Sequence, residues 1–133
     1  MAVSTIRAVF DCEAERVWNI VTALNEYSWR SDLDRIEILS ENKFVEYSKD
    51  GFATIFTVTA SEYCRRWEFD LDNANIFGHW TGVFTQKGGR TIIEFTENVT
   101  AKKFLMKPFD KSFLKKQQVQ YIKDLKKALK DRF

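Results

Sequence analysis

Hydrophobic and polar positions follow two different periods along this chain. From Asp34 to Ala101 apolar and polar residues alternate, which is typical of strands with one buried face. After Pro108 the apolar residues recur every three or four positions, which predicts an amphipathic helix. The chain therefore divides into a β-rich body and a helical last quarter.

The predicted C-terminal helix begins near Pro108, whose missing N–H is no loss in a first helical turn. No glycine or proline follows Pro108. The mostly apolar stripe of this helix consists of Phe109, Phe113, Gln117, Tyr121, Leu125 and Leu129, with Ile122 and Ala128 beside them. A helix of about 35 Å with one such stripe needs a broad partner surface.

The segment before the alternating region predicts one strand and two short helices. Residues Val3–Phe10 alternate and indicate the strand. Asp11 stands in an N-cap position ahead of a helix over about residues 13–24. A second short helix is predicted over residues 25–31.

Turn signals divide the alternating region into six strands joined by tight hairpins. These signals are Glu41-Asn42, Asp50-Gly51, residues 63–65, residues 73–75 and Gly88-Gly89. A two-residue turn at Gly88-Gly89 pairs Trp80 with Glu97. A two-residue turn at Asp50-Gly51 pairs Tyr47 with Thr54.

Residues that pair across an antiparallel ladder point to the same face of the sheet. Applied to every hairpin, this rule collects most apolar and aromatic side chains on one face. The predicted inner face consists of Ile36, Ile38, Val45, Tyr47, Thr54, Phe56, Val58, Ala60, Trp67, Phe69, Leu71, Trp80, Phe84, Ile93, Phe95, Glu97 and Val99. The predicted outer face is polar and includes Glu46 and His79. We therefore expect an α+β fold in which a curved seven-stranded antiparallel sheet wraps around the long helix.

Composition adds two points to this picture. The 133 residues predict one domain, residues 1–133, and their 15% aromatic content indicates either a large core or rings that line a cavity. Residues 102–133 carry eleven Lys and Arg side chains against three Asp. This basic helix is either a solvated face or a contact for an anionic surface, such as weak binding to an anionic membrane.

Several classes of function are excluded by what the sequence lacks. Cys12 and Cys64 are too few for a disulfide framework or a cysteine metal site. No signal peptide or membrane-spanning run is present, so we expect a cytoplasmic protein. No nucleotide-binding motif is present, and the basic residues lack interleaved aromatics, so we expect no cofactor, no metal and no nucleic acid partner. Oligomeric state is left open between monomer and homodimer.

The order of these elements resembles the helix-grip fold of the START / Bet v 1-like (SRPBCC) superfamily, in its bacterial polyketide cyclase/dehydrase-like branch. The segments that carry the resemblance are Cys12–Trp18, Tyr27–Trp29, Gly78–Gly82, Thr96-Glu97 and Leu125–Leu129. Two features depart from the pattern. Cys12-Glu13 stands where the family usually has Ala-Pro, and Glu41-Asn42 replaces the glycine-rich loop of the plant allergens. Plant-specific functions are therefore not expected.

The resemblance implies a hydrophobic cavity between the sheet and the long helix. In various branches such cavities bind lipids, polyketides, sterols or hormones. The predicted ligand-binding residues are Tyr47, Thr54, Phe56, Val58, Trp67, Phe69, Trp80, Phe95, Glu97, Phe109, Phe113 and Gln117. Small residues such as Thr54 and Gly82 are expected to leave part of the cavity volume open.

Glu97 is the candidate catalytic residue, because an isolated carboxylate among apolar groups acquires a raised pKa and can act as an acid or base. The alternative is a solvated carboxylate at a strand end, without a catalytic role. His79, the only histidine, is predicted on the outer face, which excludes histidine-based catalytic triads and metal sites.

Three functions compete on this evidence. The sequence favours the binding or carriage of a small hydrophobic molecule such as a lipid, a polyketide or an aromatic compound. A cyclase or dehydratase that uses Glu97 as acid/base is the first alternative. An interaction module that contacts a protein or a membrane through the lysine-rich helix is the second.

Overall fold

The computed structural model describes residues 1–102 and 110–132. The elements are β1 Ala2–Phe10, α1 Ala14–Thr22, β2 Leu33–Ser40, β3 Lys43–Ser48, β4 Ala53–Glu62, β5 Arg66–Asp72, β6 Ile76–Lys87, β7 Arg90–Ala101 and α2 Lys111–Arg132. The sequence predicts that the C-terminal helix starts near Pro108, but Pro108 lies outside the described residues.

One seven-stranded antiparallel sheet contains all of these strands, in the order β1-β7-β6-β5-β4-β3-β2. Strands β2 to β7 form a meander, because each short hairpin places the next strand beside the last. The helix α2, about 33 Å long at 1.5 Å per residue, packs against β1 and α1. The predicted α+β helix-grip fold is confirmed.

The prediction of a second short helix over residues 25–31 is wrong. This segment consists of turns, closed by single hydrogen bonds such as the one from the Arg30 N–H to the Tyr27 carbonyl. A helix this short gains too few backbone hydrogen bonds to repay its nucleation. The side chains of Arg30 and Asp32 bond to each other instead.

The start of α1 also differs from the prediction. Glu13, not Asp11, occupies the N-cap position, and its side chain makes no capping bond. The first helical N–H, that of Ala14, donates to Oε1 of Gln86 at 3.0 Å. Asp11 pairs with Arg90 on the surface instead. A side chain from β6 thus satisfies one of the free N–H groups of the helix start.

The apolar side of α2 is broader than the predicted stripe. Its buried residues are Leu114, Gln118, Ile122, Leu125 and Ala128. The predicted stripe is rotated by about one position, so that Phe113 and Tyr121 are only half-buried. These residues turn toward the interior cavity described below, while the buried set packs against β1 and α1.

The hairpin between β6 and β7 has the predicted register. Trp80 pairs with Glu97, and Lys87 pairs with Arg90 across a two-residue turn. Gly88 in this turn has φ +61°, a left-handed conformation that glycine adopts without strain. Glu97 therefore lies on the inner face, as predicted.

Strand β3 faces the opposite way from the prediction. Tyr47 pairs with Ala53 and not with Thr54. The loop has three residues, not two, because the Ser48 N–H donates to the Phe52 carbonyl at 2.9 Å while Gly51 adopts φ +81°. A type I turn followed by a left-handed glycine is a common hairpin connection.

The extra loop residue reverses the faces of β3. Phe44 and Glu46 point inward, whereas Tyr47 points outward, where its hydroxyl donates to Glu37 and the Arg35 guanidinium lies 3.8 Å above its ring. The predicted inward Tyr47 and outward Glu46 are therefore both wrong.

Two irregularities limit the effect of this error on the neighbouring strands. A register shift between Ile38 and Ser40 leaves Ile36 paired with Glu46, so the predicted face of Ile36 is correct. A second shift, between Val58 and Ala60, pairs Ala60 with Glu68 of the outer face. Ala60 is therefore not part of the inner wall. Such bulges change the face of a strand by one residue.

Candidate functional site

A cavity of about 710 Å³ lies between the inner face of the sheet and α2. Its lining includes Thr54, Phe56, Trp67, Phe69, Trp80, Phe95, Glu97, Phe113 and Gln117 of the predicted site. Tyr47 lies on the outer face, Val58 is half-buried without lining the cavity, and Phe109 lies outside the described residues. The volume lies in the usual range for small-molecule sites.

A continuous wall of aromatic rings forms the sheet side of the cavity. Phe69 and Trp80 stack with ring centroids 4.8 Å apart, and Phe95 lies 4.7 Å from Trp80. Phe56 contacts Phe69 edge-to-face at 5.0 Å. Neighbouring strands position these rings, because paired residues on one face of a sheet come into contact. The wall is apolar.

Gly82 lies beneath this wall. It does not enlarge the cavity, contrary to the prediction. A Cβ at Gly82 would meet the Trp80 ring at 2.7 Å and Phe95 Cδ1 at 3.2 Å. The Trp80 ring thus occupies the space that the missing side chain leaves. Glycine at this position lets the ring lie close to the sheet.

Charged side chains gather at one region of the cavity lining, around Arg30. The Arg30 guanidinium donates from Nε and Nη2 to Asp32 at 3.0 and 2.9 Å. It also donates to both carboxylate oxygens of Glu46 at 3.4 Å. The Arg30 and Glu46 side chains are only 13% and 15% exposed. The ring of Tyr121 lies 4.9 Å from the guanidinium carbon.

Burial disfavours the charged forms of Arg30, Asp32 and Glu46, whereas the ion pairs among them favour those charged forms. Burial works against the Arg30 charge, but Glu46 and Asp32 outweigh it and raise the pKa of Arg30. The same hydrogen bonds lower the pKa of Asp32 despite its burial. Burial raises the pKa of Glu46 more than Arg30 lowers it. The group contains two carboxylates and one cation.

Glu97 lies near the Arg30 group but forms no hydrogen bond or ion pair with it. It lines the cavity, and among the described residues no hydrogen bond or ion pair reaches its carboxylate. Part of its side-chain surface stays open because it faces the cavity, while protein surrounds its other sides. Burial and the nearby Glu46 charge raise the pKa of Glu97 to about 7, against the weaker opposite effect of Arg30.

A buried polar pair lies beside Glu97 and joins α2 to the sheet. Ser4 pairs with Glu97 across β1 and β7, and its hydroxyl donates to Oε1 of Gln118 at 2.8 Å. The Gln118 amide donates to the Ser4 carbonyl at 2.8 Å and to the Phe95 carbonyl at 3.4 Å. These donors are engaged with each other and not with Glu97.

His79 lies on the outer face, as predicted. Its ring nitrogens contact Asp70 Oδ1 at 2.6 Å and Glu68 Oε1 at 2.7 Å. Burial lowers the pKa of His79, but these two carboxylates outweigh that effect and raise it. Within residues 1–102 and 110–132 no group of three or more His, Cys, Asp or Glu side chains is arranged to hold a metal ion. This histidine is therefore a structural bridge between strands.

A family model described as "Polyketide cyclase / dehydrase and lipid transport" matches residues 1–133. The chain belongs to this family. The membership confirms the resemblance that the sequence carries. No curated protein is similar enough to the chain to count as a match.

Solved structures share the fold of this polyketide cyclase/dehydrase family member at low sequence identity. A START superfamily protein from Mycobacterium smegmatis has a TM-score of 0.88 at 14% identity, with 100% of both chains covered. A conserved protein from Geobacillus kaustophilus has a TM-score of 0.82 at 12% identity, covering 96% of this chain and 94% of its own. DynU16, described as belonging to the dynemicin biosynthetic locus, has a TM-score of 0.77 at 12% identity. The match covers 98% of this chain but only 48% of DynU16.

The lysine-rich surface of this family member lies on the exposed side of α2. Lys116, Lys123, Lys126, Lys127 and Lys130 are all exposed. In the part of the chain that the structure describes, no helix is both long and apolar enough to cross a membrane.

Sequence reasoning missed the charged neighbours of Glu97 in this site. Arg30 lies in a segment that the sequence predicts as helix, and Glu46 lies on the strand whose face is reversed. The one available signal was the loop Lys49–Gly51, since a glycine in third position also fits a three-residue turn. Gln118 carried no signal that distinguishes it from Gln117.

Proposed function

We propose that this protein binds a small, mostly apolar molecule in the cavity between the sheet and α2. The observation that carries the proposal is a cavity of about 710 Å³ with an aromatic wall and a few polar groups gathered in one region. Cavities of this kind bury most of a ligand's surface, and a few polar groups fix its orientation. Lipids, polyketides and aromatic compounds fit this description.

The fold supports this proposal because α2 uses different side chains for its own packing and for the cavity. The buried side of α2, around Leu114 and Leu125, packs on β1 and α1. The half-buried Phe113 and Tyr121 face the cavity instead. A ligand therefore adds apolar contacts at Phe113 and Tyr121 without displacing the side chains that hold the helix in place.

Filling the cavity is the direct test of this proposal. Thr54 lines the cavity, so Thr54→Phe should reduce the affinity for a neutral apolar dye such as Nile red by about tenfold or more, because the added ring occupies ligand space. The measurement is a fluorescence titration, supported by native mass spectrometry of any molecule that copurifies.

The matched control lies on the outer face of the same strand. Thr57 pairs with Lys43 and Asp70 and does not line the cavity, so Thr57→Phe should bind Nile red like the wild type. Equal loss in both variants, or in neither, would place the binding site elsewhere.

A second candidate function is acid/base catalysis on a bound polyketide-like molecule. It is favoured by Glu97, whose pKa of about 7 suits proton transfer near neutral pH. A copurified ligand would then lose water or cyclise on the wild-type protein but not on Glu97→Gln, with a rate that changes near pH 7. A ligand that stays chemically unchanged on the wild type would contradict this candidate.

Weak contact with an anionic membrane through the lysine-rich side of α2 stays a prediction. So do the cytoplasmic location and the choice between monomer and homodimer. Salt-dependent binding of the protein to anionic vesicles would support the membrane contact.

A further inference from the structure

The donors of Arg30, Ser4 and Gln118 are engaged with groups other than Glu97. Each nitrogen of the Arg30 guanidinium donates to Asp32 or Glu46. The Ser4 hydroxyl bonds to Gln118, and the Gln118 amide bonds to backbone carbonyls. Glu97 is thus a carboxylate acceptor that faces the cavity with no donor from the described residues.

The charges near Glu97 favour a positive ligand group. Arg30 is offset by both Asp32 and Glu46, so the group carries a net negative charge before Glu97 is counted. Lys116 also lines the cavity, but it is exposed to solvent on α2. An anionic ligand group would face repulsion from Glu46 and from the ionised form of Glu97.

The aromatic wall favours the same kind of group. Trp80 lies directly opposite Glu97 across the β6–β7 ladder, and the Phe95 ring lies 4.7 Å from Trp80. Aromatic faces attract ammonium groups through their quadrupole, most strongly where water is excluded. A carboxylate beside such rings is a suitable site for an amine.

We infer that the cavity selects an apolar molecule that carries an ammonium group, which binds Glu97 beside Trp80. This inference rests on the proposed function and names the ligand class. The ammonium supplies the donor that Glu97 lacks, and the apolar remainder lies along the aromatic wall. A fatty acid or another apolar carboxylate is disfavoured, because Asp32 and Glu46 already offset the Arg30 charge.

Three compounds with the same alkyl chain test this inference: decylamine, decanol and decanoate. Each competes with Nile red at about pH 8, where the amine is charged and Glu97 is largely ionised. Decylamine should displace the dye at a concentration about tenfold or more below that of decanol, and decanoate should be the weakest competitor. Decanol or decanoate binding as tightly as decylamine would overturn the inference while leaving the proposed function intact.

Two variants assign the preference to Glu97. Glu97→Gln should reduce the preference for decylamine over decanol to within about twofold, since the amide carries no charge. Glu94→Gln is the matched control, because Glu94 is exposed on the outward face of the same strand and should keep the preference. A preference that persists in Glu97→Gln would overturn the assignment of the ammonium site.

A carboxyl NMR titration of the wild-type protein gives a readout that does not depend on a variant folding. Saturating decylamine should lower the pKa of Glu97 from about 7, because a bound cation stabilises the carboxylate. Decylamine that leaves the Glu97 titration unchanged would overturn the inference. If Nile red and all three decyl compounds fail to bind, the proposed function itself fails.

Discussion

Replacing Glu97 by glutamine should stabilise the fold at alkaline pH by about 3 kcal/mol and leave its stability nearly unchanged at about pH 4. The pKa of Glu97 is raised to about 7 in the folded protein, because burial and Glu46 disfavour its charge. In the unfolded chain the pKa is about 4.3. Between these values the folded state binds more protons than the unfolded state, so stability falls as pH rises. Above about pH 8 the full loss is present in the wild type and absent in the variant.

Urea denaturation at a series of pH values measures this effect as the difference between wild type and variant. Carboxylates that do not interact with Glu97 titrate in the same way in both proteins, so their contributions cancel in the difference. Glu94→Gln should show no such pH dependence, because Glu94 is solvent-exposed on the outer face. Parallel stability curves for wild type and Glu97→Gln would mean that Glu97 is hydrated in the folded protein.

Truncation of Leu125 to alanine should cost about 2–5 kcal/mol in the free energy of unfolding. Leu125 lies in the middle of α2 and is 0% exposed, so its removal leaves a cavity that rigid neighbours on β1 and α1 cannot fill. Chemical denaturation of both proteins gives the difference directly.

Val119 offers a control on the same helix. Its side chain is 39% exposed, so Val119→Ala should change the stability by about half a kcal/mol or less. If both substitutions cost the same, α2 is held by something other than its buried side.

The register of β6 and β7 was predicted correctly, because the turn between them fits only one hairpin loop length. The two glycines Gly88-Gly89 join long alternating strands, and the observed pairing of Trp80 with Glu97 follows directly. The inward position of Glu97 and its raised pKa both derive from that pairing.

Strand β3 was predicted on the wrong face because two hairpin loops fit the same residues. Asp50-Gly51 forms a two-residue turn when both central residues are left-handed, and the end of a three-residue loop when only the glycine is. The structure has the second form. One residue of loop length decides whether Tyr47 or Glu46 reaches the cavity.

The charged group around Arg30 could not be read from local patterns. Arg30 and Asp32 share one turn segment, but Glu46 comes from β3, and nothing in the short-range sequence brings Glu46 to Arg30. Tertiary folding creates the Arg30–Glu46 pair. The predicted apolar stripe of α2 was rotated for a related reason. One side of α2 packs in the core and another side lines the cavity, so a single stripe includes only part of each side.

The three-residue loop Lys49–Gly51 makes the charge of the cavity depend on chain length as well as on residue identity. Shortening this loop by one residue, with the rest of β3 re-paired, would exchange Phe44 and Glu46 for Val45 and Tyr47 on the inner wall. Arg30 would then lose an acidic partner and gain a free donor face toward the cavity. An indel in one surface hairpin can thus reverse the charge balance of the cavity wall without any substitution in β3.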